Sequence, residues 1–193
     1  MASLYFTYSA MNAGKSTSLL QVAHNYQERG QQVLLLTPAI DDRAGNGRIA
    51  SRLGIAREAL SFTPQTPLRQ LIQEQLRSRT IDCVLLDEAQ FLTAQQVWQL
   101  SDTVDIEQLP VMCYGIRTDA FGKAFPGSAT LLAIADKLVE MKTICHCGRK
   151  ATMSLRVDAD GRAVKAGAQV VIGGNERYLS CCRQHWKEAM SLG

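Results

Sequence analysis

Short apolar runs alternate along the first 144 residues with longer stretches whose apolar positions recur at helical spacing. Residues 4–8, 33–37, 81–86, 110–115 and 138–144 read as strands, and residues 16–29, 67–78, 94–103 and 128–135 as helices. Within 16–29, Leu19, Leu20, Val22, Ala23 and Tyr26 fall near one helical face, and Gly30 supplies the stop. The run 81–86 is almost continuously apolar, as expected of a parallel strand buried on both faces. Strand and helix in alternation predict an α/β fold around a parallel sheet. Residues 41–54, with three glycines and three arginines, and residues 117–127 read instead as loops. After Cys147 the pattern turns to short β segments, 152–157 and 170–172, around a turn at Asp158-Ala159-Asp160-Gly161. A loop over 173–176 and a helix over 183–190 close the chain.

The chemistry sits where strands meet loops. Ser9-Ala10-Met11-Asn12-Ala13-Gly14-Lys15-Ser16 lies between the first strand and the first helix and has the form of a phosphate-binding loop, with Ser9 where the usual pattern has glycine. In such a loop the backbone N–H groups wrap phosphates at a helix N-terminus, Lys15 reaches the β and γ phosphates, and the Ser16 hydroxyl ligates Mg²⁺. The strand 81–86 ends in Asp87 and Glu88. Ligands of open α/β sheets sit at the carboxyl ends of the strands, so Asp87 is expected beside the loop, holding Mg²⁺ directly or through water. Glu88 is then free to take a proton from a nucleophile, either a substrate hydroxyl or a water. These residues alone leave two readings open: a kinase, or a RecA-like P-loop ATPase whose C-terminal lobe grips nucleic acid or protein.

With 193 residues the chain can bury one sizeable core and add a small appendage. A net charge of +3, spread over scattered basic residues, does not point to nucleic acid. Neither a signal peptide nor a membrane-spanning apolar run is apparent, so a cytoplasmic protein without a membrane partner is expected. Of six cysteines, Cys83 and Cys113 fall inside apolar strands. The other four lie in Cys145-His146-Cys147 and Cys181-Cys182-Arg183-Gln184-His185. Two such knuckles predict a closed, structural Zn²⁺ site from Cys145, Cys147, Cys182 and His185. Cys181 is an alternative to Cys182, with three residues before His185, and His146 is a further candidate. The ion would pin both ends of residues 148–180 into a lasso able to enclose a small substrate.

Taken together, these stretches resemble the type II thymidine kinases of cells and bacteria. Also matching are Asp41-Asp42-Arg43, Asp87-Glu88-Ala89-Gln90-Phe91, residues 145–150 and residues 170–178. The resemblance implies an α/β, RecA-like P-loop sheet over 1–144 with a small zinc-binding β/lasso lobe over 145–193. It implies transfer of the ATP γ-phosphoryl, with Mg²⁺, to the 5′-hydroxyl of thymidine, and possible use of deoxyuridine. Glu88 would be the general base, with Lys15 and Arg43 stabilising charge, and Ser9 to Ser16, Asp87 and Gln90 binding nucleotide. Met11 would meet the thymine methyl, Val170, Val171, Ile172 and Gly173 the base edge, and Tyr178 the ribose. Family members often read Asp-Phe-Arg-Gly where this chain has Asp119-Ala120-Phe121-Gly122. Phe121 is therefore expected to bring its ring to the base only through a shift of the loop. A homotetramer inhibited by thymidine triphosphate is implied as well.

Overall fold

The computed structural model describes residues 1–41, 43, 45–171 and 177–192. In chain order its elements are β1 (Leu4–Ser9), α1 (Lys15–Glu28), β2 (Val33–Pro38), β3 (Arg48–Ala50), β4 (Ala56–Glu58), β5 (Leu60–Phe62) and α2 (Leu68–Ser78). There follow β6 (Cys83–Leu86), a 3₁₀ turn at Ala89–Phe91, α3 (Ala94–Ile106), β7 (Val111–Ile116), α4 (Pro126–Ile134) and β8 (Lys137–Glu140). Last come β9 (Met153–Arg156), β10 (Tyr178–Cys181) and α5 (Arg183–Met190). Six strands make one parallel sheet in the order β5-β2-β6-β7-β1-β8.

Strand periodicity divides the core in two. Leu34, Leu36, Val84 and Leu86 face one side with Leu68 and Ile72 of α2, Val97, Leu100 and Val104 of α3, and Leu131 of α4. Their neighbours Val33, Leu35, Cys83 and Leu85 face the other side and pack on Leu19, Leu20 and Ala23 of α1. Both faces of β6 are therefore buried, which is why its sequence shows no alternation. Thr93 starts α3 with a capping box, its hydroxyl accepting the Gln96 N–H while the Gln96 side chain accepts the Thr93 N–H. Pro126 opens α4 at a position where no N–H is needed.

A third, separate cluster joins Cys145, Ala151, Leu155, Val157, Cys181, Cys182 and Trp186. It is tied to the sheet domain by Trp186, whose indole N–H donates to the Ala120 carbonyl at 3.0 Å. Gly122 makes this approach possible, since a Cβ there would lie 2.9 Å from the indole ring.

Two local expectations are revised. Residues 41–54 are not loop throughout: β3 pairs antiparallel with β4, and Ile49 is buried against α1. Strands of three residues are too short for periodicity to register, which also hid β5. In the C-terminal lobe β9 pairs with Tyr178–Cys181 rather than with 170–172. Val170 and Val171 have no strand structure and line a cavity instead, while Ile172 lies outside the described residues. The turn at 158–161 forms as expected, with the Asp158 carboxylate accepting the N–H groups of Asp160 and Arg162. Among the described residues no helix is long and apolar enough to cross a membrane.

Candidate active site

β1 and β6 end on the same edge of the sheet with β7 between them, so the loop after β1 and the carboxylates after β6 converge. Gly14, in the left-handed region at φ 81°, turns the chain into α1. The Ser16 hydroxyl donates to Asp87 Oδ2 at 2.7 Å. Lys15 is buried, and its ammonium donates to Ser9 Oγ at 3.0 Å and to the Ala10 carbonyl at 3.2 Å. Burial lowers the Lys15 pKa, opposed by the charges of Glu88 and Asp87. Asp87 is pushed up to about 7, chiefly by burial and then by Glu88, with its bond from Ser16 acting the other way. A hydroxyl and a carboxylate oxygen, both at the first turn of α1, form a hard-oxygen pair of the kind Mg²⁺ takes, and a cation there would relieve the cost of the buried Asp87 charge.

Glu88 adopts a left-handed backbone conformation, φ 51° and ψ 44°, unusual for a residue with a side chain. The Asp87 carboxylate stabilises this bend by accepting the Glu88 N–H at 3.0 Å. One Glu88 oxygen accepts from Arg43 and the other from the Gln90 amide. Gln90 is itself buried and accepts the Ile116 N–H at 3.2 Å. Gly115 makes room for it, because a Cβ at that position would lie 2.9 Å from Gln90 Oε1. Gln90 thus orients Glu88 while lining the same cavity as the phosphate loop. Arg43 also holds Asp41, and its pKa is raised, first by that bond and further by the Glu88 charge.

These groups line one cavity of about 930 Å³. Its wall includes Met11, Asn12, Ala13, Gly14, Lys15 and Ser16, together with Arg43, Asp87, Glu88 and Gln90. Val170, Val171 and Tyr178 reach the same space from the C-terminal lobe. Ser9 and Ala10 sit behind the loop on Lys15, and Ile172 and Gly173 lie outside the described residues. Phe121 requires a correction, since it is not on the wall. Ala120 faces the cavity, and the next side chain along, Phe121, lies under the Arg156 guanidinium at 5.1 Å. The one-place displacement of the aromatic turns it to the other side of the loop. Phe91 and Phe125, an edge-to-face pair with centroids 6.2 Å apart, line the cavity instead. Phe125, Thr118, Asp119 and the segment 48–53 fall in the loops 117–127 and 41–54, and Phe91 in the Asp87–Phe91 stretch, but none of them carried an assigned role in the sequence reading.

The sulfurs of Cys145, Cys147 and Cys182 and the His185 ring converge, their ligand atoms all within 4.8 Å of one another. Cys145 Sγ and Cys182 Sγ lie 3.3 and 3.4 Å from His185 Nδ1. A tetrahedral zinc site has ligand–ligand edges of roughly 3.5–3.8 Å, so the set fits that ion after small adjustments. The Cys145 thiol is held down at about 5, first by the Cys147 backbone N–H, which favours the thiolate that binds metal. Cys181 is buried outside this set, and His146 stacks on His185 with ring centroids 4.2 Å apart.

Sheet order, phosphate loop and the carboxylate strand define a P-loop α/β protein with a Cys3His cluster able to hold a metal in its C-terminal lobe. The thymidine kinase family model matches residues 2–186. A thymidine kinase of Idiomarina loihiensis is 74% identical over 192 residues, covering both chains completely. Thymidine kinases of Ruegeria pomeroyi and Salmonella paratyphi A are 61% and 58% identical, covering 98% and 100% of this chain and 96% and 94% of theirs. The chain belongs to the thymidine kinase family, a family of ATP-dependent nucleoside kinases. The alternative of a P-loop ATPase is thereby set aside.

Proposed function

We propose that this enzyme transfers the ATP γ-phosphoryl to the thymidine 5′-hydroxyl in the single cavity shared by phosphate loop and lasso, with Glu88 as general base. The observation that carries this reading is Glu88 itself, fixed by Arg43 and Gln90 on the wall of that cavity. Loop amides and Lys15 hold the β and γ phosphates. Ser16 and Asp87 would hold Mg²⁺, which when bound neutralises charge on the phosphate oxygens. The 5′-hydroxyl oxygen attacks the γ phosphorus as its proton passes to a Glu88 oxygen, and the bond from the γ phosphorus to the bridging oxygen breaks to release ADP. Arg43, bonded to the same carboxylate, keeps a positive charge beside the moving group. Such chemistry depends chiefly on alignment, which explains a base locked by two side chains.

The nucleoside would lie between Met11, the Phe91–Phe125 pair, the backbone at Val170 to Gly173, and Tyr178. Tyr178 donates its hydroxyl to the Val171 carbonyl at 3.1 Å, tying the lasso strand to the base-binding stretch. The division into a kinase domain, 1–144, and a zinc lobe, 145–193, belongs to the same reading, as do a cytoplasmic location, a homotetramer and inhibition by thymidine triphosphate. The exposed apolar Leu138 and Val139 on the edge strand β8 favour an assembled form.

The decisive experiment follows ADP and phosphorylated nucleoside together, using thymidine, deoxyuridine and deoxycytidine. Glu88→Gln should keep nucleotide binding while kcat falls by about 10²–10⁴-fold. A variant turning over near the wild-type rate would remove Glu88 from the role of base.

A further inference from the structure

Met11 lies at the tip of the phosphate loop, and three hydrogen bonds tie this tip to the two strands of the C-terminal hairpin. Its N–H donates to Ser154 Oγ of β9 at 3.1 Å, and its carbonyl accepts from the Ser180 hydroxyl of β10. Ser154 and Ser180 are directly opposed in the antiparallel register, so one cross-strand pair satisfies both backbone polar groups of one residue. Two places along β10, the Tyr178 carbonyl accepts from the Asn12 side chain at 3.3 Å. Asn12, at φ 65°, turns the tip toward the hairpin. These contacts span 143 to 169 residues of chain, and Ser154 is buried within them.

Ser154 lines the cavity itself, whereas Ser180 is not on its wall, so Ser180 is felt by either ligand only through Met11. Loop amides around Met11 close on phosphate, whereas the hairpin carries Tyr178 and anchors the stretch at Val170 and Val171. We propose that Ser154 and Ser180 act as a clamp on the Met11 backbone, through which nucleotide in the loop orders the nucleoside-binding lasso and nucleoside orders the loop; this rests on the nucleoside kinase reading above. Whichever ligand binds first fixes the Met11 backbone, and the second ligand then has less to order, which makes binding cooperative in both directions. Ser180 is a positioning residue, since it acts through Met11; Ser154 bonds Met11 and also lines the cavity.

The test is calorimetric titration of the full-length protein with thymidine, alone and saturated with Mg²⁺ and a non-hydrolysable ATP analogue. The wild type should bind thymidine more tightly with the analogue, by a factor of about five or more. Ser180→Ala should bring this factor down toward one, by about 2-fold or more for the hydrogen bond lost, while affinity for the analogue alone stays close to wild type. Ser180→Thr, which keeps the hydroxyl, should restore it. A merely structural role would lower the melting temperature and leave the ratio of the two thymidine affinities unchanged. A wild-type factor of one, or a Ser180→Ala variant with the wild-type factor, would overturn the clamp. Failure of the underlying reading has its own signature, a wild type that makes no thymidine monophosphate, and that result removes the clamp as well.

Discussion

Replacing Gly127 by alanine probes how tightly α4 must approach the turn that follows Glu88. A Cβ at Gly127 would lie 2.4 Å from the Leu92 carbonyl oxygen, 2.9 Å from Leu92 Cβ and 3.0 Å from the Ala89 carbonyl oxygen. Ordinary carbon–oxygen contacts begin near roughly 3.3 Å, so helix and turn would have to separate by about 1 Å. The backbone at Gly127 needs no left-handed conformation, and within a helix alone alanine would be favoured by about 1 kcal/mol. Any loss therefore measures the contact. Overpacking of this kind costs about 1–3 kcal/mol, which for a chain of this size lowers the melting temperature by roughly 2–12 °C. Activity should suffer more, because Ala89 and Leu92 bracket Gln90, and Gln90 holds Glu88. A displacement of about 1 Å at such a group can cost on the order of 10²-fold in rate. Thermal unfolding and kcat on the same preparation read both effects. Gly127→Ala melting at or above the wild-type temperature with unchanged kcat would refute this account.

Removing zinc with a chelator should raise the thymidine KM while leaving nucleotide binding to the phosphate loop, because the four ligands pin the lasso and not the sheet; an unchanged KM in metal-free protein would contradict this. The Lys150 ammonium lies 2.7 Å from Glu140, and this hydrogen bond is the main cause that lowers the Glu140 pKa. A lowered carboxylate pKa means the pair stabilises the fold above the ordinary Glu value of 4.5 and loses that effect as pH falls through the lowered value. Lys150→Ala should therefore lower the melting temperature at neutral pH, by the equivalent of less than about 1 kcal/mol for so exposed a pair, and the difference should vanish in acid or high salt. A difference that grows in acid would reverse the assignment.

Much of the sheet domain was legible because its signals are local. Buried strands such as β6 are apolar runs, α1 shows its face at helical spacing, and the glycine-lysine-serine loop has one strong conformational solution. The convergence of Cys145, Cys147, Cys182 and His185 was legible too, since thiol and imidazole in two close-spaced pairs have few other uses together. Shorter elements left no trace: β3, β4 and β5 have three residues each, and their pairing depends on neighbours distant in the chain.

The sequence by itself determined the class of fold, the phosphate loop, the carboxylates after β6 and the Cys3His set able to hold a metal, because each depends on residue type and spacing within a short span. Tertiary structure alone decided which side chains share the cavity. It put Ala120 rather than Phe121 on the wall, set Gln90 on Glu88, and brought two serines from opposite strands to one loop residue. Those relations follow from the register of β9 on β10 and the packing of α4 and Trp186, long-range contacts whose geometry no local pattern encodes.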